Sequence, residues 1–301
     1  MSARIPGQRQ RLQITQPGVY DLNEADYLRD PVAGGSLSAT GIKHLIPPNR
    51  PAHFQAWKKA GIQKPSESQN FGSGTHTLIL GRGAEVVAFP RADGRTKEGK
   101  AIKADADAAR AEGKIVVSED ELETIKAMKE ALWSSPWAST LLHPGAGLPE
   151  QTMIWQDPDT GVWCRGLVDY LRKPEIDGRL FLVDYKTADC ADPDKWIKKA
   201  YDWGYHIQRA QYVAGAYALG LASDIEFIFL IQEKTAPYLV NQIRFDAKGV
   251  AIGNYLRHQA LTTYAECLAA HGWDNPWPGY TPDLVTAETP GYIAYQHPEV
   301  D

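Results

Sequence analysis

The sequence predicts a mixed α/β (α+β) fold, a central mixed sheet flanked by helices, with helical additions on the N-terminal side. Three observations carry this expectation. The first third of the chain shows helical capping and spacing, three consecutive apolar strands begin at Glu150, and helices, a buried apolar run and a long closing helix follow. A chain of 301 residues that is 43% hydrophobic and 23% charged has ordinary globular composition and can bury a core.

The elements follow from local signals. Ser38 is placed to cap a short helix through Leu45, before the break at Pro47-Pro48. A second helix fits Pro51 to Ala60 and a third runs from about Gln69 to Leu80, where Gly81-Arg82-Gly83 ends it. Residues 90–114 read as an exposed loop with a solvated helix, and Ser118 with Glu121 forms a capping box for a helix reaching Trp133. Strands then fit Glu150 to Gln156, Val162 to Leu171 and Arg179 to Lys186, with a turn at Asp157 to Gly161, which makes a meander.

Next come a polar helix at about Asp192 to Ala200 and an amphipathic one from Tyr205 to Leu219. The apolar run Ile225 to Gln232 suits a buried strand, Tyr238 to Phe245 a further strand, and Lys248 to His271 a closing helix. The expected organisation is one domain over 1–301: a helical part at about 36–148, a sheet core at about 150–271 and a tail at 272–301.

The formal charge of −5 argues against a protein that coats nucleic acid through overall positive charge, since non-specific DNA affinity comes mainly from Lys and Arg on phosphates. Any DNA contact must be local. Cys164, Cys190 and Cys267 lie far apart with no CxxC pair, so no disulfide framework or structural zinc site is expected, and a reducing, cytoplasmic setting fits. The start, Met1 to Gly18, has positive charges but no apolar block for secretion, and no stretch long enough to span a membrane appears.

The strongest chemical signal is Asp184-Tyr185-Lys186 at the end of an apolar strand. Side chains alternate along a strand, so Asp184 and Lys186 point the same way and Tyr185 the other. Asp169 ends the preceding apolar strand, Gly166-Leu-Val-Asp169, its expected antiparallel neighbour. Two carboxylates meeting there would repel unless a cation lies between them, and hard oxygen ligands suit Mg²⁺ or Mn²⁺. Such a centre hydrolyses phosphodiesters, with a second ion at roughly 4 Å assisting the leaving oxygen. Lys186 would position water, help activate it or stabilise developing charge. An isolated Asp-x-Lys also fits a surface salt bridge.

The surrounding residues add a resemblance. Asp169 followed fifteen residues later by Asp184-Tyr185-Lys186 resembles the split signature of PD-(D/E)XK nucleases, whose restriction-endonuclease-like core has the order helix, three strands, helix, strand. His76, in Phe71-Gly-Ser-Gly-Thr-His76, and the pair Gln208 and Tyr212 resemble the RecB and RecE exonuclease branch. The likeness runs from about Ser36 to Phe245. It implies that His76, Asp169, Asp184 and the Tyr185 main-chain carbonyl hold the metal, Mg²⁺ or Mn²⁺ with two ions to the active site, that Lys186 is catalytic, and that Gln208 and Tyr212 assist from the next helix. On physical grounds, a neutral imidazole would complete a carboxylate shell, and Gly72 and Gly74 would let that helix approach the sheet. Gln208 and Tyr212, four apart, share a helical face, with Gln211 as an alternative register.

The stretch Ser36-Leu-Ser38-Ala-Thr-Gly-Ile-Lys43, with Pro51-Ala-His53-Phe, resembles the N-terminal signature of RecE-like enzymes, and Ser36, Ser38, Lys43 and Arg50 are candidates for holding a DNA end or a 5′ phosphate. A capped helix before a Pro break explains them equally well. Glu150 is a candidate additional acid near the metals, and Arg165 a candidate phosphate contact. Lys195, Trp196, Lys198 and Lys199 would line a DNA channel or simply form a solvated helix face.

The resemblance implies a metal-dependent exonuclease acting on double-stranded DNA ends, 5′ to 3′, that leaves 3′ single strands for a single-strand annealing protein. It also implies a homo-oligomeric ring and a phage or prophage setting in a bacterial host cell. The alternatives are a structure-dependent or restriction-type endonuclease and a non-catalytic DNA-binding protein on a nuclease fold. The iron-sulfur nuclease of CRISPR adaptation needs four cysteine ligands, so no iron-sulfur cluster is expected.

Overall fold

The computed structural model describes residues 12–61 and 66–300. The first eleven residues of the N-terminal stretch read for a secretion signal lie outside them. A short strand β1 (Gly18–Tyr20) and helix α1 (Glu24–Leu28) precede the expected helices α2 (Ala39–Leu45), α3 (Pro51–Ala60) and α4 (Glu67–Leu80). Strand β2 (Val86–Phe89), helix α5 (Lys97–Ala111) and strand β3 (Ile115–Ser118) lead into α6 (Glu119–Ser134) and α7 (Pro136–Leu141). The meander is β4 (Gly147–Gln156), β5 (Trp163–Arg172) and β6 (Arg179–Ala188), followed by α8 (Pro193–Asp202), α9 (Tyr205–Ala218), β7 (Asp224–Glu233), β8 (Val240–Ile243), α10 (Ala247–His271) and α11 (Gly291–Gln296).

The helix starts obey the capping chemistry read from the sequence. Ser38 Oγ accepts the Gly41 N–H at 3.2 Å, and Ser118 and Glu121 form the capping box of α6. Asp192 and Asp246 cap α8 and α10 in the same way.

Six strands form one mixed sheet in the order β1-β4-β5-β6-β7-β8. All neighbours are antiparallel except β6 and β7, which run parallel because α8 and α9 carry the chain across between them. β2 and β3, on either side of the charged stretch 90–114, make a separate two-stranded parallel sheet that sequence periodicity did not reveal.

Helices cover both faces of the large sheet. One core joins Leu182, Phe227 and Phe229 to Phe54, Trp196, Ile207 and Tyr212 from α3, α8 and α9. The other joins Val183, Tyr185 and Leu230 to Ile79 of α4, Leu132 of α6 and Ala138 of α7. Residues between α4 and β4 thus build the second wall. Strand alternation sorts β6 between these layers, with Leu182 in one core and Val183 and Tyr185 in the other. Among the described residues, no helix is long and apolar enough to cross a membrane.

Candidate active site

The geometry starts from a break in the sheet. Strands β5 and β6 pair only at Leu171↔Leu182 and Tyr170↔Val183. One step further along this register, Asp169 faces Asp184, and there the ladder gives way to a side chain: Asp169 Oδ2 accepts the Tyr185 main-chain N–H at 2.8 Å. The separation leaves the ends of two central strands open around acidic side chains.

β4 is distorted at the same level. Glu150 falls between the pairs Pro149↔Tyr170 and Gln151↔Val168, which sets it level with Asp169. It has φ of 48°, a left-handed conformation that a residue with a Cβ adopts at a cost of order 1–3 kcal/mol. Alternation along β5 fails here too, with Val168 in the α9-side core and Tyr170 in the α4-side core.

Helix α4 brings in His76. Its Nδ1 lies 3.5 Å from Asp169 Oδ2, its ring meets Tyr185 edge-on, and it is hydrogen-bonded to the Tyr185 main chain. Burial and the Lys186 ammonium push the imidazole down to about 4, so it is neutral near pH 7 with a lone pair to offer. The expected role of Gly72 and Gly74 is corrected: Gly74 rests on Ile125 and Val117 of α6 and β3, and Gly72 faces open space.

Asp184 and Lys186 share a face, as alternation requires, and Lys186 Nζ is 2.5 Å from Asp184 Oδ2. Helix α9 completes the arrangement. Gln208 Nε2 donates to Asp184 Oδ1 at 2.6 Å, and the buried Tyr212 phenol is hydrogen-bonded to Gln208. Tyr212 fits because β5 has Gly166 beneath it, where a Cβ would stand 2.8 Å from the ring. Gln211 belongs elsewhere, donating to the Leu37 carbonyl and accepting from Arg257.

Electrostatically the centre is crowded with acid. Burial, with repulsion from Asp169, raises Asp184 to about 6 against the pull of Lys186. Burial, then repulsion from Asp169 and Glu24, raises Glu150 to about 7. Glu24 is the residue that sequence reading missed: it lies on the five-residue α1, which has no motif, and only the path of residues 12–35 brings it to the sheet. Glu24 and Ser73, one turn before His76, line a cleft of about 1950 Å³, whose lining does not include Asp169, Asp184, Lys186 or His76.

The remaining candidates divide. Lys43 is close enough for the Lys186 and Asp184 charges to act on it, and its Nζ donates to the Trp203 carbonyl at 2.6 Å. Ser38 lines the cleft while capping α2. Ser36 and Arg165, expected at the DNA, are corrected to an internal role: Arg165 Nη1 donates to Ser36 and pairs with Asp30 at 3.0 Å, all three buried. Arg50 starts α3 and lies over Tyr280 at 5.0 Å, beside α10 and the tail. In the basic run of α8, Trp196 is buried in the core and Lys195 and Lys198 face solvent.

Among the described residues, no three His, Cys, Asp or Glu side chains already stand in a ready metal shell. The donor set nevertheless suits a hard divalent cation: a neutral imidazole, facing carboxylates and a main-chain carbonyl on the same strand edge as the Tyr185 N–H. Asp184 Oδ2 is buried and pairs with the Lys186 ammonium, while Asp184 Oδ1 takes the Gln208 amide.

A mixed sheet opened between two central strands, with Asp169, Asp184 and Lys186 at the opening and His76 from a preceding helix, defines the PD-(D/E)XK class of fold. The chain belongs to the family described as PDDEXK-like domain of unknown function (DUF3799), whose model matches residues 38–276. Among solved structures it is similar in fold to a "Putative exonuclease" from Eubacterium rectale, with a TM-score of 0.57 and 14% identity over 92% of this chain and 98% of that one. No curated protein matches the sequence.

Proposed function

We propose that this chain is a divalent-metal-dependent DNA exonuclease that hydrolyses phosphodiester bonds at double-stranded ends. The observation that carries the reading is the grouping of Asp169, Asp184, Lys186 and His76 at the split between β5 and β6. Membership of a PDDEXK-like family supports it. The likeness of His76, Gln208 and Tyr212 to RecE-like enzymes supports 5′-to-3′ polarity, a ring-shaped homo-oligomer and delivery of 3′ single strands to an annealing protein.

Asp169, Asp184, His76 and the Tyr185 carbonyl would hold Mg²⁺ or Mn²⁺, with Glu150 and Glu24 available to a second ion. When bound, the cation polarises the phosphate and lowers the pKa of attacking water. Lys186 supplies positive charge for the phosphate oxygens: burial opposes its charge, but Asp184 and Asp169 outweigh that and hold it as an ammonium. Gln208 fixes the Asp184 carboxylate, and Tyr212 fixes Gln208. Contacts of this kind go to phosphates rather than base edges, so cleavage is independent of sequence and falls steeply with salt.

The test compares linear with covalently closed circular duplex in Mg²⁺, using wild type and Lys186→Ala. Loss of the linear form alone, prevented by the substitution and by chelator, is the expected result. Cutting of the circle points to an endonuclease, and no cutting of either substrate removes the enzymatic reading. End-labelling each strand of the linear form then reads the polarity.

A further inference from the structure

We propose that Trp203 is a stacking platform for a base close to the reacting phosphate, so that the site receives an unpaired strand end rather than intact duplex. This rests on the nuclease reading above and specifies the form of its substrate. Trp203 is 46% exposed, the most open of the nine tryptophans. An exposed apolar ring alone means little. Its position is what matters.

The indole meets Tyr205 edge-on with centroids 5.6 Å apart, and Lys186 Nζ stands 5.3 Å from the centroid of the same Tyr205 ring. One aromatic ring therefore separates the exposed indole from the ammonium that touches Asp184. Stacked bases follow one another at about 3.4 Å along a strand, so a base on Trp203 belongs within about three nucleotides of a phosphate at Lys186.

The platform is held rigidly without the indole itself serving the core. The Trp203 carbonyl accepts Lys43 Nζ at 2.6 Å. Gly204 follows at φ 69°, and a Cβ there would lie 2.6 Å from the Lys43 side chain, so the turn is set by glycine and packed against Lys43. Upstream, Lys195 and Lys198 on α8 are exposed, and Lys195, Lys199 and Trp203 follow at i, i+4 and i+8 along one side of the helix. Lys199 also pairs with Asp189 at 3.0 Å, and Asp194 and Asp202 are the exposed acids on this helix. An aromatic platform fed by lysines is the composition that binds single strands without sequence preference, because every base has a π-face. In a duplex those faces are already stacked.

The test uses the full chain in chelator, where no cutting occurs, with an oligothymidylate carrying a terminal 2-aminopurine. Wild type and Lys186→Ala should both quench the 2-aminopurine, and Trp203→Phe should quench it in part. Trp203→Ala should lose the quench and bind about 5- to 150-fold more weakly, the range expected for one base–aromatic stack. In Mg²⁺, Trp203→Ala should lose more activity on blunt duplex than on duplex with a frayed end. Equal quenching and affinity in Trp203→Ala and wild type, or no single-strand binding by wild type, would overturn the proposal. Trp203→Phe, with a thermal melt matching wild type, guards against a folding defect. Cleavage by Lys186→Ala at the wild-type rate would sink the nuclease reading while leaving the stacking result intact.

Discussion

Asp169 accepts the main-chain N–H of Tyr185 across the point where β5 and β6 part. A carboxylate here takes the place of a ladder carbonyl, so the strands separate without leaving that donor unpaired. The same contact sets Asp169 facing Asp184, and the acidic centre follows from it.

Removing charge from this centre should abolish turnover and spare the fold. Lys186→Ala and Asp184→Asn are each expected to lower kcat by about 10²- to 10⁴-fold, the usual scale for a positioned acid–base or electrostatic group. Asp184→Asn should melt at or above the wild-type temperature, because the neutral amide escapes the desolvation and repulsion that raise this carboxyl. Single-turnover kinetics and calorimetric melts check both outcomes, and an active Asp184→Asn would remove Asp184 from the chemistry.

His76→Ala should weaken Mn²⁺ binding by about 10- to 100-fold, the scale on which groups around a metal centre act. Glu24→Gln should weaken it less, since Glu24 reaches the centre from the cleft side. Titration calorimetry on the DNA-free protein measures both. Unchanged affinity in His76→Ala would assign the imidazole a packing role against Tyr185.

Gly166→Ala tests the support beneath Tyr212. The added methyl would lie 2.8 Å from a ring held in the core, so the cost should be about 1–3 kcal/mol of stability, with Gln208 displaced from Asp184. Activity should fall more than stability alone explains. A denaturant melt alongside kcat reads the two effects, and a variant indistinguishable from wild type in both would show that Tyr212 can move freely.

Asp30 gives the clearest pH signature outside the centre. Burial would raise its carboxyl, but Arg165, Lys58 and Ser36 outweigh burial and hold it below its ordinary value of 3.8. A carboxyl depressed by folding contributes stability that is complete above its unfolded pKa and is lost as pH falls through the folded one. Asp30→Asn should therefore cost about 3–5 kcal/mol at neutral pH, because Arg165 is left buried without its carboxylate. That deficit should shrink below about pH 4. Asn tolerates the left-handed φ of 58° at this position, so the effect isolates charge. A deficit that persists unchanged at acid pH would mean that shape, not charge, is what Asp30 supplies.

Much of this architecture is legible in the chain because its signals are local. Period-two runs at β5 and β6, the Ser38 and Ser118 caps and the apolar run at β7 all depend on residues close in sequence. Alternation alone puts Asp184 and Lys186 on one face. The short strands β2 and β3 escaped notice because four-residue segments flanked by charge carry little periodicity.

What sequence alone determined is the order of the elements and the residues at strand ends able to act together. Tertiary structure decided which of them meet: Glu24 comes to the centre, Arg165 and Ser36 turn inward to Asp30, and Gln208 rather than Gln211 reaches Asp184. The physical reason is range. Hydrogen-bond periodicity and capping act over a few residues, whereas burial and charge pairing join groups far apart in the chain, and their partners exist only once the sheet and its two helical layers have closed.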